Sequence, residues 1–191
     1  MMRPQARVRS LVILVALVTA SLACTVDVGG PVAPGPSIPV SQDAAAILED
    51  VWASALQGAL ATGQVLVILD EAQVTSLLAI RLSQQDKPVL TNPQVYLQDG
   101  QIRVYGSTIQ GPLRGNVLIA IEPRLDTEGR VTFDVLSADF GPVPAPASVL
   151  DGISSVLTEL FTGSLGSLAT GVRVTSLAID DGEMSIVGEL R

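Results

Sequence analysis

The stretch from Pro88 to Phe140 limits what this chain can become. It reads PVLTNPQVYLQDGQIRVYGSTIQGPLRGNVLIAIEPRLDTEGRVTFDVLSADF. Val95 and Leu97, then Ile102 and Val104, then Val117, Ile119 and Ile121, then Val131, Phe133 and Val135 occupy every second position. A period of two puts successive side chains on opposite faces, which is the strand pattern. Asp99-Gly100 lies between the first two runs and is a hairpin turn signal; Glu128-Gly129 separates the last two. The expectation is an antiparallel meander of four strands. Val117 to Ile121 is apolar throughout, so this strand is expected to be covered on both faces.

The flanking sequence has a different period. Ser41 is an N-cap candidate with Asp43 in the first turn behind it. Leu48, Val51, Trp52, Ala55, Leu56, Ala59 and Leu60 follow at spacings of three and four, predicting a helix from about Gln42 to Ala61 that stops near Gly63. Val65 to Leu69 reads as a short strand. Asp70 with Gln73 three residues on is a capping box, and a second helix runs from Glu71 to about Ser83 with Val74, Leu77, Leu78 and Leu82 on one face. After a rigid Pro-rich connection at residues 141–146, a third helix starts near Ala147 and ends at Gly163. Two last strands, Val172 to Ile179 and Met184 to Leu190, flank the turn Asp180-Asp181-Gly182. The fold class expected is α+β: a strongly curved antiparallel sheet, meander plus C-terminal hairpin, packed against long amphipathic helices.

Residues 1–23 are of another kind. Arg3, Arg7 and Arg9 precede thirteen apolar or small residues, Leu11 to Ala23. That run is shorter than the ~20 residues of a membrane span and fits a signal-peptide core. It ends in Ser21-Leu22-Ala23-Cys24, which resembles a bacterial lipobox with its Leu one place late. Cys24, the only cysteine, is therefore expected to carry the lipid anchor, making the protein exported and bound to a cell-envelope membrane. Residues 24–40, rich in Pro and Gly, are expected to form an extended tether reaching roughly 50 Å at ~3.1 Å per residue. Residues 41–191 then form a single domain.

Composition removes several function classes. The first 23 residues hold three Arg and no acid, so a chain beginning at Cys24 carries −11 against −8 for the whole. That charge does not suit nucleic acid. With no His, neither a Ser-His-Asp nor a Cys-His constellation is available, and zinc loses its usual ligands. There is no phosphate-binding glycine loop. Asp180 and Asp181 are candidate calcium ligands but read first as turn residues, and Glu49-Asp50 reads as a solvated helix face. Nothing in the sequence places two carboxylates in a shared cleft, as a glycosidase pair would require. No cofactor, no metal and no enzymatic activity are expected.

The apolar content is aliphatic, since aromatics make up only 3%. An aliphatic space between sheet and helices suits an acyl chain, although the same residues equally suit a filled core. The order strand, Asp-capped helix, then Pro88-Val89-Leu90-Thr91-Asn92-Pro93-Gln94-Val95-Tyr96-Leu97-Gln98-Asp99-Gly100-Gln101-Ile102-Arg103-Val104-Tyr105-Gly106 is similar to the LmeA-like bacterial lipid-binding proteins. The ending, Gly171 to Gly182 and a final strand, looks like that family's closing hairpin. YceB-like lipoproteins combine a similar domain with a lipid anchor. The resemblance implies a TULIP-like fold, with a long helix in a curved sheet around an apolar groove, and no catalytic residues. The groove is expected to be lined by Leu77, Leu78, Val156 and Leu160 from the helices and by Val104, Ile119 and Phe133 from the sheet. The function expected is binding of a lipid or other apolar ligand, for lipid transport or envelope maintenance. The alternative is a non-enzymatic interaction or assembly lipoprotein with a fully packed core.

Overall fold

The computed structural model describes residues 26–88, 90–110, 113–144, 147, 150–155 and 171–190. The signal peptide, Cys24, Val156, Leu160 and the expected helix stop at Gly163 lie outside the described residues. The meander forms as the alternation requires: β3 (Thr91–Gln98), β4 (Gln101–Gln110), β5 (Leu113–Leu125) and β6 (Val131–Phe140) pair antiparallel in that order. Asp99-Gly100 turns with φ of 54° and 73°, two consecutive left-handed residues, as a two-residue hairpin demands. β7 (Val143–Pro144) adds to β6, and β1 (Val26–Asp27) runs parallel to the start of β5.

Local signals hold for the first two helices. The first, α1 (Gln42–Thr62), is capped by Ser41 Oγ, which accepts from the Ala44 N–H, and closes on Gly63 at φ 76°. The second, α2 (Glu71–Ser83), opens with the capping box: Asp70 Oδ1 accepts from the Gln73 N–H at 2.7 Å, and Gln73 Oε1 from the Asp70 N–H at 3.0 Å. β2 (Gln64–Asp70) lies between them, and a third helix is present at 147 and 150–155. The expected inner faces of α1 and α2 pack on the core, with one departure on each. On α1 Ala45, Trp52 and Ala59 are buried and Val51, Ala55 and Leu56 pack half-buried on the core, while Leu60, expected on the inner face, is 81% exposed. On α2 the middle is buried nearly all round, including Thr75 and Ser76.

The larger departure is in the sheets. The C-terminal hairpin, β8 (Val172–Asp180) and β9 (Glu183–Leu190), does not extend the meander. It pairs with β2 in a separate three-stranded sheet of order β2-β9-β8. The physical reason lies on the free edge of β3. Thr75 Oγ1 accepts from the Val95 N–H at 2.9 Å, and Glu71 Oε1 accepts from the Leu97 N–H at 2.9 Å. Side chains of α2 thus take the edge donors that another strand would have used. The two sheets meet at one end instead, where the Gly182 N–H donates to the Leu97 carbonyl and the Val174 N–H to the Gly129 carbonyl.

One core joins both sheets and the helices. Val95, Leu97, Ile102, Val104, Val117, Ile119 and Ile121 come from the meander; Val65, Val67, Leu69, Met184 and Ile186 come from the second sheet. Burying one such side chain is worth ~1.5–3 kcal/mol. A bulge between Ala120 and Ile121 shifts the β5–β6 register, and beyond it the inner face of β6 is incompletely covered: Val135 is 39% exposed.

Residues 26–41 correct the expectation of a free tether. The Val28 N–H donates to the Arg114 carbonyl at 2.8 Å and the Asn116 N–H to the Gly29 carbonyl at 2.7 Å. Gly30, at φ 108°, lies so close to the Asn116 carbonyl that a Cβ there would collide with it. The segment then crosses the outer face of the meander. Tyr96 hydroxyl donates to the Pro36 carbonyl, and the Gln94 side chain accepts from the Ile38 N–H and donates to the Ile38 carbonyl. It ends where the Ser41 N–H donates to Ser76 Oγ. This strap explains why Tyr96, on the outer face, is buried. β5 is covered on both faces as expected: Ala120 is buried and Leu118 half-buried, opposite fully buried Val117, Ile119 and Ile121.

Candidate functional site

Of the side chains expected to line a groove, Leu78, Val104 and Ile119 have no exposed surface and Leu77 has 9%. All four belong to the packed core. Phe133 is half-buried against that core from β6. These five residues share one interior, yet none of them borders either of the two clefts described next.

The first cleft has a volume of about 330 Å³ and opens beside the C-terminal half of α2. Its walls are chiefly Val40 from the strap, Ala79, Ile80 and Leu82 from α2, and Leu90 and Pro93 before and within β3. The local sequence builds it in steps. Pro88 follows the end of α2, where a proline cannot continue a helix. Leu90 then packs over Gly106, where a Cβ would approach its side-chain carbons to within 2.7–2.9 Å. A side chain on β4 at that point would push Leu90 outward and remove one wall. Sequence reasoning missed this cleft because Val40 was assigned to a free tether and Leu90 to the approach to a strand. The usable signal was the small residue at Gly106, on the same inward face as Ile102 and Val104 of an otherwise regular strand.

The second cleft is polar, with a volume of about 460 Å³, at the end where the two sheets meet. Glu71, Gln98, Asp99, Asp180, Asp181 and Gly182 line it. Of these carboxylates the sequence sets only Asp180 and Asp181 side by side; the fold adds Glu71 and Asp99 to their cleft. Their local bonding is structural. Glu71 Oε1 is engaged by the Leu97 N–H, and Asp99 Oδ2 accepts from Arg103 at 2.7 Å. Asp181-Gly182 is a left-handed turn pair at φ 49° and 84°. Among the described residues no three His, Cys, Asp or Glu side chains come together to hold a metal ion.

One carboxylate outside the clefts is electrostatically set. Asp126, in the β5–β6 turn, accepts from the backbone N–H groups of Glu128 and Arg130 and from Arg130 Nε at 2.7 Å. The Arg130 bonds, backbone first, hold its pKa below the ordinary value. This closes a turn and touches neither cleft.

No protein-family model matches the chain, and no curated protein is significantly similar to it in sequence.

Proposed function

We propose that the chain is an exported, lipid-anchored envelope protein that shields a lipid or other apolar ligand, and that the ligand occupies the cleft beside α2. The observation that carries this reading is the apolar lining of that cleft, Val40, Ile80, Leu82 and Leu90. Its volume, about 330 Å³, falls at the lower end of ligand sites, which run ~300–1,000 Å³. Each methylene removed from water contributes about 0.8 kcal/mol, so a segment of six to eight yields roughly 5–6 kcal/mol before ordering costs. That magnitude suits reversible holding of part of an acyl chain. The packing of Leu78, Val104 and Ile119 moves the proposed site away from the sheet–helix interior. The absence of His and the likeness to LmeA-like and YceB-like proteins support a carrier or maintenance role without catalysis.

The test is native mass spectrometry of residues 25–191, which lack the anchor and keep the strap, purified without detergent, together with uptake of a fluorescent fatty acid. Bound lipid lost on Ala79→Trp, which fills the cleft from a half-buried position, supports the site. Acyl groups on Cys24, and release of Cys24→Ala protein from membranes, support the anchor. The interaction-module reading has its own observation: Val135 and Leu136 on β6 and Leu66 and Ile68 on β2 are each at least 39% exposed. An empty protein that takes up no fatty acid would leave that reading the better one.

A further inference from the structure

We infer that the cleft beside α2 takes an uncharged single-chain lipid with a hydroxylated headgroup, of the monoacylglycerol type, in preference to a fatty-acid anion. This rests on the cleft reading proposed above and adds what the mouth of that cleft selects. Leu82 and Leu90 are buried in its wall, with Ile80 half-buried beside them, and suit only an aliphatic chain. Ser83, Thr91 and Asn92 are its polar lining residues. All three are exposed, so they stand at the mouth, where the headgroup of a lipid seated tail-first would lie.

The hydrogen bonds at the mouth have a direction. A backbone carbonyl can only accept, so a hydroxyl bonded to one has spent its single proton. The Ser83 hydroxyl donates to the Ile80 carbonyl at 2.7 Å, and the Thr91 hydroxyl to the Ser107 carbonyl at 3.0 Å. Both oxygens therefore offer only lone pairs to a ligand. Asn92 supplies the complement. It lies with Pro93 in a bulge opposite Gly106, between the pairs Thr91–Ser107 and Gln94–Tyr105, at φ 49°. A bulge re-aims a side chain out of the ladder. Among the described lining residues Asn92 alone has side-chain N–H donors. The mouth thus presents two acceptor oxygens and one amide. A monoacylglycerol presents two hydroxyl donors and one ester carbonyl, which is the matching set. A carboxylate has no proton for the two oxygens, and no Lys or Arg is among the described lining residues to balance its charge. Asp86 and Lys87, between α2 and the cleft's Pro88, are exposed, where water and salt screen them. A fatty acid therefore enters by its tail alone, with its carboxylate left in water.

The experiment uses residues 25–191, which keep every described residue, and the probes 1-monooctanoylglycerol, methyl octanoate and octanoate. Each is titrated by calorimetry at neutral pH, below the concentration at which it aggregates. Methyl octanoate has the same chain and ester without the hydroxyls and is the more hydrophobic ester, so apolar burial alone would rank it first. The glyceride should instead bind about five-fold tighter, the worth of one or two net hydrogen bonds, and octanoate should bind weakest. Ser83→Ala combined with Thr91→Val, both at exposed positions, should erase the preference for the glyceride. The wild-type order needs no variant, so the test holds even if the double variant fails to fold. Methyl octanoate or octanoate binding as tightly as the glyceride, or a preference that survives in a folded double variant, overturns the headgroup inference and leaves the cleft as an acyl site. Binding of none of the three, or binding that survives Ala79→Trp, overturns the cleft reading and the inference built on it.

Discussion

Thr75 should matter more to stability than an ordinary helix threonine. Its side chain has no exposed surface, and Oγ1 accepts from the Val95 N–H at 2.9 Å on the open edge of β3. Thr75→Val keeps the shape and removes the acceptor, leaving a buried amide without a partner. Such a loss costs about 1–3 kcal/mol. Thr75→Ser keeps the acceptor and loses one methyl, about 0.8 kcal/mol. In a domain of this size each kcal/mol moves Tm by ~2–4 °C, so Val should lower it by about 2–12 °C and Ser by about 2–3 °C. The assay is thermal unfolding of both variants, with amide exchange at Val95 read in parallel. Exchange at Val95 should accelerate in Thr75→Val alone. If Ser proves the more damaging change, or Val95 exchange stays slow in Val, the hydroxyl does not hold the edge and the explanation for two sheets fails.

Deleting residues 25–40 should destabilise the domain by roughly 2 kcal/mol or more, because Tyr96 loses its cover; chemical denaturation checks this. Gly115→Ala should cost about 1–3 kcal/mol, since a Cβ there would lie 2.6 Å from Val28 and 2.9 Å from Phe140; limited proteolysis should then cut the strap first. Asp126 titrates below its unfolded value, so its contribution is present above the ordinary carboxylate range and is lost as pH falls through the lower folded value. Amide exchange at Glu128 and Arg130, corrected for intrinsic rate, should accelerate on acidification below that range, and in Asp126→Asn the acceleration should be present already at neutral pH.

What was legible in the sequence is what neighbours in sequence decide. The Asp70–Gln73 capping box, the Asp99-Gly100 turn and the alternation from Val95 to Ile121 each act within a few residues, and the structure holds all three. The partition of strands into two sheets was not legible. It depends on Thr75 and Glu71 reaching across to β3, and on a helical pattern they read as polar neighbours of an apolar stripe. The strap was hidden by its own composition. Pro and Gly in residues 29–39 suppress helix and strand, which is the mark of a linker, yet Gly30 is required by contact with Asn116, far along the chain. The first cleft was hidden for the same reason, since one of its walls is Val40.

Trp52 is the only tryptophan of the chain; it is 3% exposed, and its indole Nε1–H has no hydrogen-bond partner among the described residues. Its burial ties the seating of α1 to the core. It also makes the molecule its own optical probe. With the indole buried, emission should be blue-shifted, and all of it reports from the single stripe by which α1 holds the core. The meander carries no tryptophan, so its rupture is silent in that channel, while the T-shaped Tyr96–Tyr105 pair on its outer face marks it in the near-ultraviolet. Unfolding followed in the two channels would show whether helix and meander come apart together or in sequence.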